Sequence, residues 1–386
     1  MAERKHQSNP FYYGDLALDE AFTDRVQELS ALKRDMLNGQ NVALIAPRRY
    51  GKSSLVRRAG QELITEGVLV AEVDLMKAAT KERLASHLAR AIHDDLASPM
   101  FRAKELALKV FESLRVQPTI TYSPTEGTYS FSFTAAAQTE PDIDETLERL
   151  LELPAQLAAE QDKRVVLYFD EFQEITEIDK DLPRLMRAIF QEQPDVSHVY
   201  AGSKREMMNR LFNDKNEPFY QSAKVMEIGR IPDELFIDFI KERFDATDRG
   251  VAEAAVEGLL SVTEGHPYAT QKLAYALWEE VPTGFTASVS DLDRALDLVL
   301  RSESARFTLL WETVSRAQRQ LLQALAIEPG HVQSARYMGR YGLPSASTMQ
   351  KAARALVVAE LIAKRPDGTH AIVEPFLAEW ITRYAS

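Results

Sequence analysis

Short apolar runs alternate with helical patterns over the first 230 residues of the chain. Between residues 41 and 229 the runs have the length of buried strands, and the segments between them repeat their apolar residues at helical spacing. This alternation predicts an α/β core with a parallel sheet and helices on both faces. The predicted strands are Asn41–Ala46, Val68–Leu75, Val165–Phe169, Val196–Ala201 and Lys224–Ile228.

One segment departs from this pattern and predicts a β-hairpin insertion near 116–135. Thr, Tyr, Ser and Phe alternate there around a Pro-Thr-Glu-Gly turn. Its aromatic residues either bind a partner or only pack within the hairpin. These residues are Tyr122, Tyr129, Phe131 and Phe133.

The remaining sequence predicts a helical lid at 231–302 and a winged helix-turn-helix at 303–386, after a core at 1–230. The lid has helical periodicity throughout. The last domain is predicted from three helices and a ribbon that turns at Pro366-Asp367-Gly368. The helices are Leu309–Ala326, Ala335–Tyr341 and Ser345–Ala359.

Composition limits the kinds of site that the chain can carry. The 386 residues include no cysteine, which excludes disulfides and cysteine-ligated metals, and the seven histidines show no metal-ligand spacing. Because there is neither a membrane-length apolar stretch nor a signal segment, we expect a soluble, cytoplasmic protein. The net charge of -12 argues against a surface that binds nucleic acid throughout, but it is compatible with a local basic patch.

A phosphate-binding loop follows the first predicted strand. Ala46-Pro47-Arg48-Arg49-Tyr50-Gly51-Lys52-Ser53-Ser54 has the spacing of a Walker A loop that opens a helix. The backbone of such a loop surrounds the phosphates, so residues 47 to 54 are candidate nucleotide ligands. Lys52 is expected to contact the β- and γ-phosphates, and Ser53 to coordinate Mg²⁺. Ala46 stands where the pattern has Gly, which is tolerated if its φ is negative.

A second motif has the form of a Walker B strand, which we expect beside the P-loop strand. The apolar run Val165–Phe169 ends in Asp170 and Glu171. Asp170 would hold Mg²⁺, usually through water, and Glu171 would orient or deprotonate the water that attacks the γ-phosphate. Together the two motifs predict that the chain binds ATP or ADP with Mg²⁺ and hydrolyses ATP, slowly or with stimulation by a partner.

Two polar residues follow the next predicted strand, where a γ-phosphate sensor is expected. Ser203 and Arg205 are the candidates. Arg205 would add positive charge at the terminal phosphate, either of its own subunit or of a neighbouring subunit. In the second case the assembly of a homo-oligomer would depend on the bound nucleotide. A solvated first turn of a helix is the alternative.

These motifs together resemble the archaeal-type ATPase family of the STAND class, signal-transduction ATPases related to AAA+ proteins. The loop Ala46–Leu55 is similar to that family's form of Walker A, including the Ala. Residues 22–28 resemble an N-terminal box, which implies that Phe22 and Arg25 lie near the adenine. Gly265-His266-Pro267 matches a Gly-x-Pro motif of the lid. The motif implies a nucleotide contact by His266 and Pro267, although His266 could equally form a structural turn.

The resemblance implies an AAA+-like P-loop core, a helical lid and a winged helix. It also implies that the exchange of ADP for ATP changes the arrangement of these domains. Two functions stay open. One is a switch that presents a surface to a partner protein, with the winged helix as an internal lock. The other is a DNA-binding ATPase resembling origin-recognition and helicase-loading proteins.

The winged helix has the charge that DNA binding requires. Residues 333–370 contain six Lys and Arg residues against two acidic residues, the reverse of the chain as a whole. Lys351 and Arg354 on the second helix and Lys364 and Arg365 in the wing are the candidate contacts to duplex DNA. Further candidates on the helix are Ser345, Ser347, Thr348 and Gln350.

Overall fold

The computed structural model describes residues 8–14, 25–96, 116–123, 128–135, 142–365 and 367–385. The chain divides into two compact units. The core unit contains Arg25–Arg48 and Lys52–Ile228. The C-terminal unit contains Met1–Asp24, Arg49–Gly51 and Gly229–Ser386.

The core unit is built on a five-stranded parallel sheet with helices packed against it, which confirms the predicted α/β architecture. Its strands are β1 Val42–Ile45, β2 Leu69–Asp74, β3 Val116–Ser123, β4 Thr128–Ala135, β5 Val165–Asp170, β6 Val196–Gly202 and β7 Lys224–Glu227. Its helices are α1 Val26–Leu37, α2 Lys52–Thr65, α3 Lys81–Ala91, α4 Ile143–Gln161, α5 Ile175–Ile178, α6 Leu182–Phe190 and α7 Arg205–Asn213. Single-turn helices lie at Leu75–Lys77 and Phe172–Glu174, and a π-helical turn at Ile92–Leu96.

The order of the strands corrects one expectation. The sheet runs β2-β5-β6-β1-β7, so β6 lies between the Walker B strand β5 and the P-loop strand β1. The expectation that the two strands are neighbours was wrong, because a sequence pattern identifies strands but not their order. All neighbours in the sheet are parallel, so the carboxyl ends of β1, β5 and β6 still meet at one edge.

The predicted hairpin is present as two paired strands. β3 and β4 are antiparallel, with Ser123 opposite Thr128. The intervening turn and the side chains of both strands lie outside the described residues, and so do the expected roles of the aromatic residues.

The C-terminal unit is mainly helical. Its helices are α8 Asp233–Asp245, α9 Glu253–Thr263, α10 Pro267–Glu280, α11 Val289–Thr313, α12 Arg316–Ile327, α13 Ala335–Tyr341, α14 Ala346–Val358 and α15 Pro375–Tyr384. Its short strands are β8 Gly250–Val251, β9 Thr286–Ala287, β10 Ile362–Lys364 and β11 His370–Ile372. Within this unit, the N-terminal residue Phe11 is buried against Phe239 and Phe244 of α8.

The winged helix follows the predicted order with one difference. The second helix, α14, begins after Ser345, whose hydroxyl accepts a hydrogen bond from the Thr348 N–H as an N-cap. The predicted helix Leu309–Ala326 is instead two helices, because Ser315 and Gln318 form a capping box that starts α12. The strands β10 and β11 form the antiparallel wing. The long helix α11 spans residue 302, where the lid was expected to end, and that boundary stays a prediction.

Within the described ranges, the structure contains no helix that combines the length and the apolar character needed to cross a membrane.

Candidate nucleotide-binding and hydrolysis site

The P-loop connects a buried strand to the first turn of α2. Every residue of β1 is buried, and α2 begins at Lys52. Gly51 has φ +81°, a conformation that costs glycine little and other residues more. Ala46 is not among the described residues with positive φ, so its side chain causes no strain of that kind. The local backbone therefore accommodates the departure from the usual pattern.

Side chains from three elements converge at the carboxyl edge of the sheet. The Ser53 hydroxyl on α2 donates a hydrogen bond of 2.7 Å to Asp170 Oδ2 at the end of β5. Lys52 Nζ lies 4.0 Å from Glu171 Oε1, and the Lys52 side chain is only 6% exposed. Ser203, just after β6, donates from its hydroxyl to Glu171 Oε2 at 2.7 Å. The structure thus brings together the phosphate, magnesium and catalytic candidates of the two Walker motifs and Ser203.

Burial and hydrogen bonds act differently on the two carboxyl groups. Burial raises the pKa of Asp170 above its ordinary value, although the Ser53 hydroxyl opposes this. Burial alone would also raise the pKa of Glu171. Hydrogen bonds from Ser203 and Gln173, together with the charge of Lys52, outweigh burial and place that pKa below its ordinary value. Glu171 is therefore ionised at neutral pH, as a general base must be.

Oxygen donors at this edge suit Mg²⁺. Magnesium uses one or two protein carboxylates, phosphate oxygens and water, and Ser53 and Asp170 supply one hydroxyl and one carboxylate side by side. Among the residues that the structure describes, no group of three or more His, Cys, Asp and Glu could hold a metal ion by itself. The donor set fits a cation shared with a nucleotide.

Several candidates lie elsewhere. Arg205 Nη2 is 3.5 Å from Glu227 Oε2, and both side chains are exposed, so Arg205 does not join the cluster. Arg25 is buried and donates to Glu28. Phe22 lies outside the described residues. In the loop itself, Ser54 is buried, Pro47 is half-buried and Arg48 is exposed.

The lid motif forms the start of α10. His266 is buried at the N-cap position, and Pro267 occupies the first turn. Burial, reinforced by Arg230, lowers the pKa of His266 to about 3. Within the C-terminal unit the His266 ring lies 4.6 Å, centroid to centroid, from the ring of Tyr50. The histidine is therefore neutral at pH 7 and contacts one candidate of the loop. Its contact with the nucleotide stays a prediction.

Gln173, two residues after Glu171, is a site residue that no sequence pattern predicted. Its side chain is completely buried, and its Nε2 donates to Glu171 Oε2 at 2.6 Å. Lys204 Nζ, after β6, reaches the adjacent Glu174 at 2.8 Å. No spacing rule identifies a buried glutamine, but its position two residues after a Walker B acid was a usable signal.

The winged helix exposes its basic candidates unequally. Lys351 and Arg354 are exposed on α14, and Lys364 is exposed on the wing. Within the described part of the chain no ion pair to any of these three is recorded. Arg365, in contrast, forms a 2.9 Å ion pair with Glu264, which also binds Arg230.

Comparisons with known proteins agree with this geometry. Residues 35–211 match the model of the AAA domain, and residues 305–383 match that of a probable winged helix domain. None of the proteins with curated function matches this sequence.

Two solved structures have a similar fold. The Walker-type ATPase PABY2304 of Pyrococcus abyssi aligns over 95% of this chain and 97% of its own, with 18% identity and a TM-score of 0.65. The ORC2 protein of Aeropyrum pernix, in its ADPNP and ADP complexes, aligns over 94% of each chain, with 15% identity and a TM-score of 0.53. At these identities the likeness concerns the fold alone. With its Walker motifs assembled and both domain models matched, the protein is a P-loop ATPase that carries an AAA domain and a C-terminal winged helix domain.

Proposed function

We propose that this ATPase binds duplex DNA through its winged helix and that the nucleotide at the P-loop sets the strength of binding. The observation that carries the proposal is a face of α14. Ser347, Gln350, Lys351 and Arg354 follow one another at helical spacing, and all are exposed. A helix with two cations and two uncharged polar residues on one exposed face suits phosphates and base edges.

The charge pattern favours DNA over an internal lock for this face. An internal lock would engage the cations of α14 with acidic residues of the chain itself, as Arg306 is engaged with Glu374 and Arg383 with Asp297. Lys351 and Arg354 have no such pairs recorded within the described ranges, although acidic residues are plentiful in the chain. Cations left without acidic partners retain their full attraction for phosphate.

At the nucleotide site we propose a division of roles. Lys52 binds the β- and γ-phosphates, and the loop residues 47–54 surround them with N–H groups. Ser53 and Asp170 hold Mg²⁺, which when bound neutralises charge on the phosphates. Glu171 accepts the proton of the attacking water, and Ser203 keeps that carboxylate in place.

A partner-protein switch is the second candidate, and one observation favours it. The ion pair between Arg365 and Glu264 joins the wing to the turn that precedes the lid motif. A wing held in this way would move only when the lid moves, which is the behaviour of a lock. The narrower assignment to the STAND class, the cytoplasmic location and a nucleotide-dependent homo-oligomer stay predictions.

Fluorescence anisotropy with a labelled random duplex at several salt concentrations tests the DNA proposal. Each neutralised phosphate contributes about −0.9 to the slope of log affinity against log salt. The double variant Lys351→Gln, Arg354→Gln should therefore flatten the slope by about 1.8. The matched control is Arg301→Gln, Arg316→Gln, which removes the same charge from exposed positions on other helices. Equal slopes for the two double variants would refute the proposed DNA face.

A further inference from the structure

Gln173 lies where the Walker B strand meets the strand that carries Ser203. It is in the single helical turn Phe172–Glu174, directly after Glu171. The Phe172 ring fixes this turn in the core, 4.6 Å from the ring of Tyr200 and 5.2 Å from that of Phe219. A completely buried glutamine at such a place needs a reason, because its amide loses its hydrogen bonds to water.

The amide of Gln173 donates its shortest hydrogen bond to Glu171. Only Nε2 can donate to a carboxylate, and it lies 2.6 Å from Glu171 Oε2, with a second, weaker contact of 3.3 Å to Glu174. Gln173 Oε1 is buried and has no hydrogen-bond partner among the described residues. The partner of its donor, and not the unsatisfied acceptor, is what distinguishes Gln173: the donor is directed at Glu171, the proposed base.

The two oxygens of Glu171 have different surroundings. Oε2 accepts from both Gln173 and Ser203, at 2.6 and 2.7 Å. Oε1 is the oxygen nearest Lys52, 4.0 Å from its Nζ. The two donors oppose rotation of the carboxylate, and Oε1 lies on the side of the phosphate-binding lysine.

We infer that Gln173 is a positioning residue for ATP hydrolysis, which anchors Oε2 of Glu171 so that Oε1 faces the attacking water. In the reaction the water gives its proton to Oε1 while its oxygen bonds to the γ-phosphorus. The bond from that phosphorus to the bridging oxygen breaks, and ADP leaves with the electron pair. The proton then returns to solvent. This inference rests on the proposed role of Glu171 as the base.

The space around Gln173 supports a fixed amide. A methyl group added to Gly202, at the end of β6, would lie 2.5 Å from Gln173 Oε1 and 2.4 Å from Met208. Glycine at this position therefore leaves just enough room for the glutamine side chain between β5 and β6. A side chain at residue 202 would therefore displace Gln173 Oε1 or Met208.

The test is single-turnover ATP hydrolysis by the full chain with Gln173→Met, which keeps the length of the side chain and removes the donor. Loss of one hydrogen bond to a charged group should lower the rate of the chemical step by about 10- to 100-fold. The Kd for Mg²⁺–ATP should stay within about twofold, because Gln173 contacts no candidate phosphate ligand. If this variant does not bind ATP, Gln173→Asn, whose shorter amide cannot reach Oε2, replaces it.

Gln193→Met is the matched control. Gln193 is also buried, donates from Nε2 to the Leu151 carbonyl at 2.9 Å and has an unsatisfied Oε1, but it lies away from the Walker motifs. Its substitution should leave the hydrolysis rate unchanged.

A double-mutant cycle with Glu171→Gln separates positioning from structure. Adding Gln173→Met to Glu171→Gln should cause no further loss, because the anchored carboxylate is already absent. Wild-type rates for Gln173→Met, or an equal loss in both backgrounds, would overturn the inference. If Glu171→Gln itself leaves the rate unchanged, the proposed base is wrong, which is a separate failure.

Discussion

Acid should destabilise the core unit through His198, which lies toward the amino end of β6, beside Asn41. The side chain is completely buried and stacks on Phe190 at 3.9 Å between ring centroids. Its Nδ1 is 3.2 Å from Asn41 Oδ1, and its Nε2 has no partner among the described residues. Burial lowers the pKa of His198 to about 3.

Proton linkage determines the sign and the size of the change in stability that His198 causes as the pH falls. The unfolded chain binds a proton at this residue below about pH 6.5, whereas the folded chain binds it only below a pKa of about 3. Stability is therefore unaffected above about pH 6.5 and falls as the pH decreases toward 3. Between pH 7 and pH 5 the loss from His198 is about 2 kcal/mol, since each pH unit costs about 1.4 kcal/mol.

Two spectroscopic probes allow the two units to be followed separately in urea titrations. All three tryptophans, Trp278, Trp311 and Trp380, are in the C-terminal unit, so their fluorescence does not report on the core unit. Far-UV circular dichroism reports on both. In His198→Phe, which keeps an aromatic ring against Phe190, the core transition should lose about 2 kcal/mol less between pH 7 and pH 5 than in the wild type.

The tryptophan transition is the internal control, because it should respond to pH equally in both proteins. His266, which is buried in the C-terminal unit with a pKa of about 3, remains in the variant. If the core transitions of wild type and His198→Phe shift equally with pH, His198 is not neutral and buried as described, and the reasoning fails.

Three further substitutions test the two sites. Lys52→Ala should weaken ATP binding at least ~100-fold by calorimetry, because the backbone cannot replace a charge-assisted contact, and unchanged affinity would refute the P-loop assignment. Glu171→Gln should keep Mg²⁺–ATP affinity while slowing single-turnover hydrolysis by ~10²-fold or more, and weakened binding instead would make Glu171 a ligand rather than a base. Glu264→Gln should release Arg365, tighten duplex binding at low salt and steepen the salt slope by up to about 0.9, whereas an unchanged slope would mean that Arg365 does not reach DNA.

The sequence was most informative where a function depends on residues that are close together in the chain. Lys52, Ser53, Asp170 and Glu171 were identifiable because a phosphate loop and a strand that ends in acids are local patterns. The start of α14 at Ser345 was identifiable for the same reason, since an N-cap is a local signal.

Features that depend on distant residues could not be predicted. The position of β6 between β5 and β1 depends on packing of the whole sheet. Two arginines form ion pairs with residues far apart in sequence, Arg205 with Glu227 and Arg365 with Glu264. The sequence around each arginine does not indicate such a partner. The division between α11 and α12 was local but missed, because the apolar pattern continues across Val314 and hides the capping box.

The most direct test of the central claim is duplex binding by the full chain in its two nucleotide states. Anisotropy of a labelled random duplex should be measured at low salt with Mg²⁺–ATP and with Mg²⁺–ADP, using Glu171→Gln to keep ATP intact. We predict salt-dependent binding in both states, with a different affinity for each nucleotide. Absence of binding at low salt with either nucleotide would contradict the claim and leave a protein partner as the target of the switch.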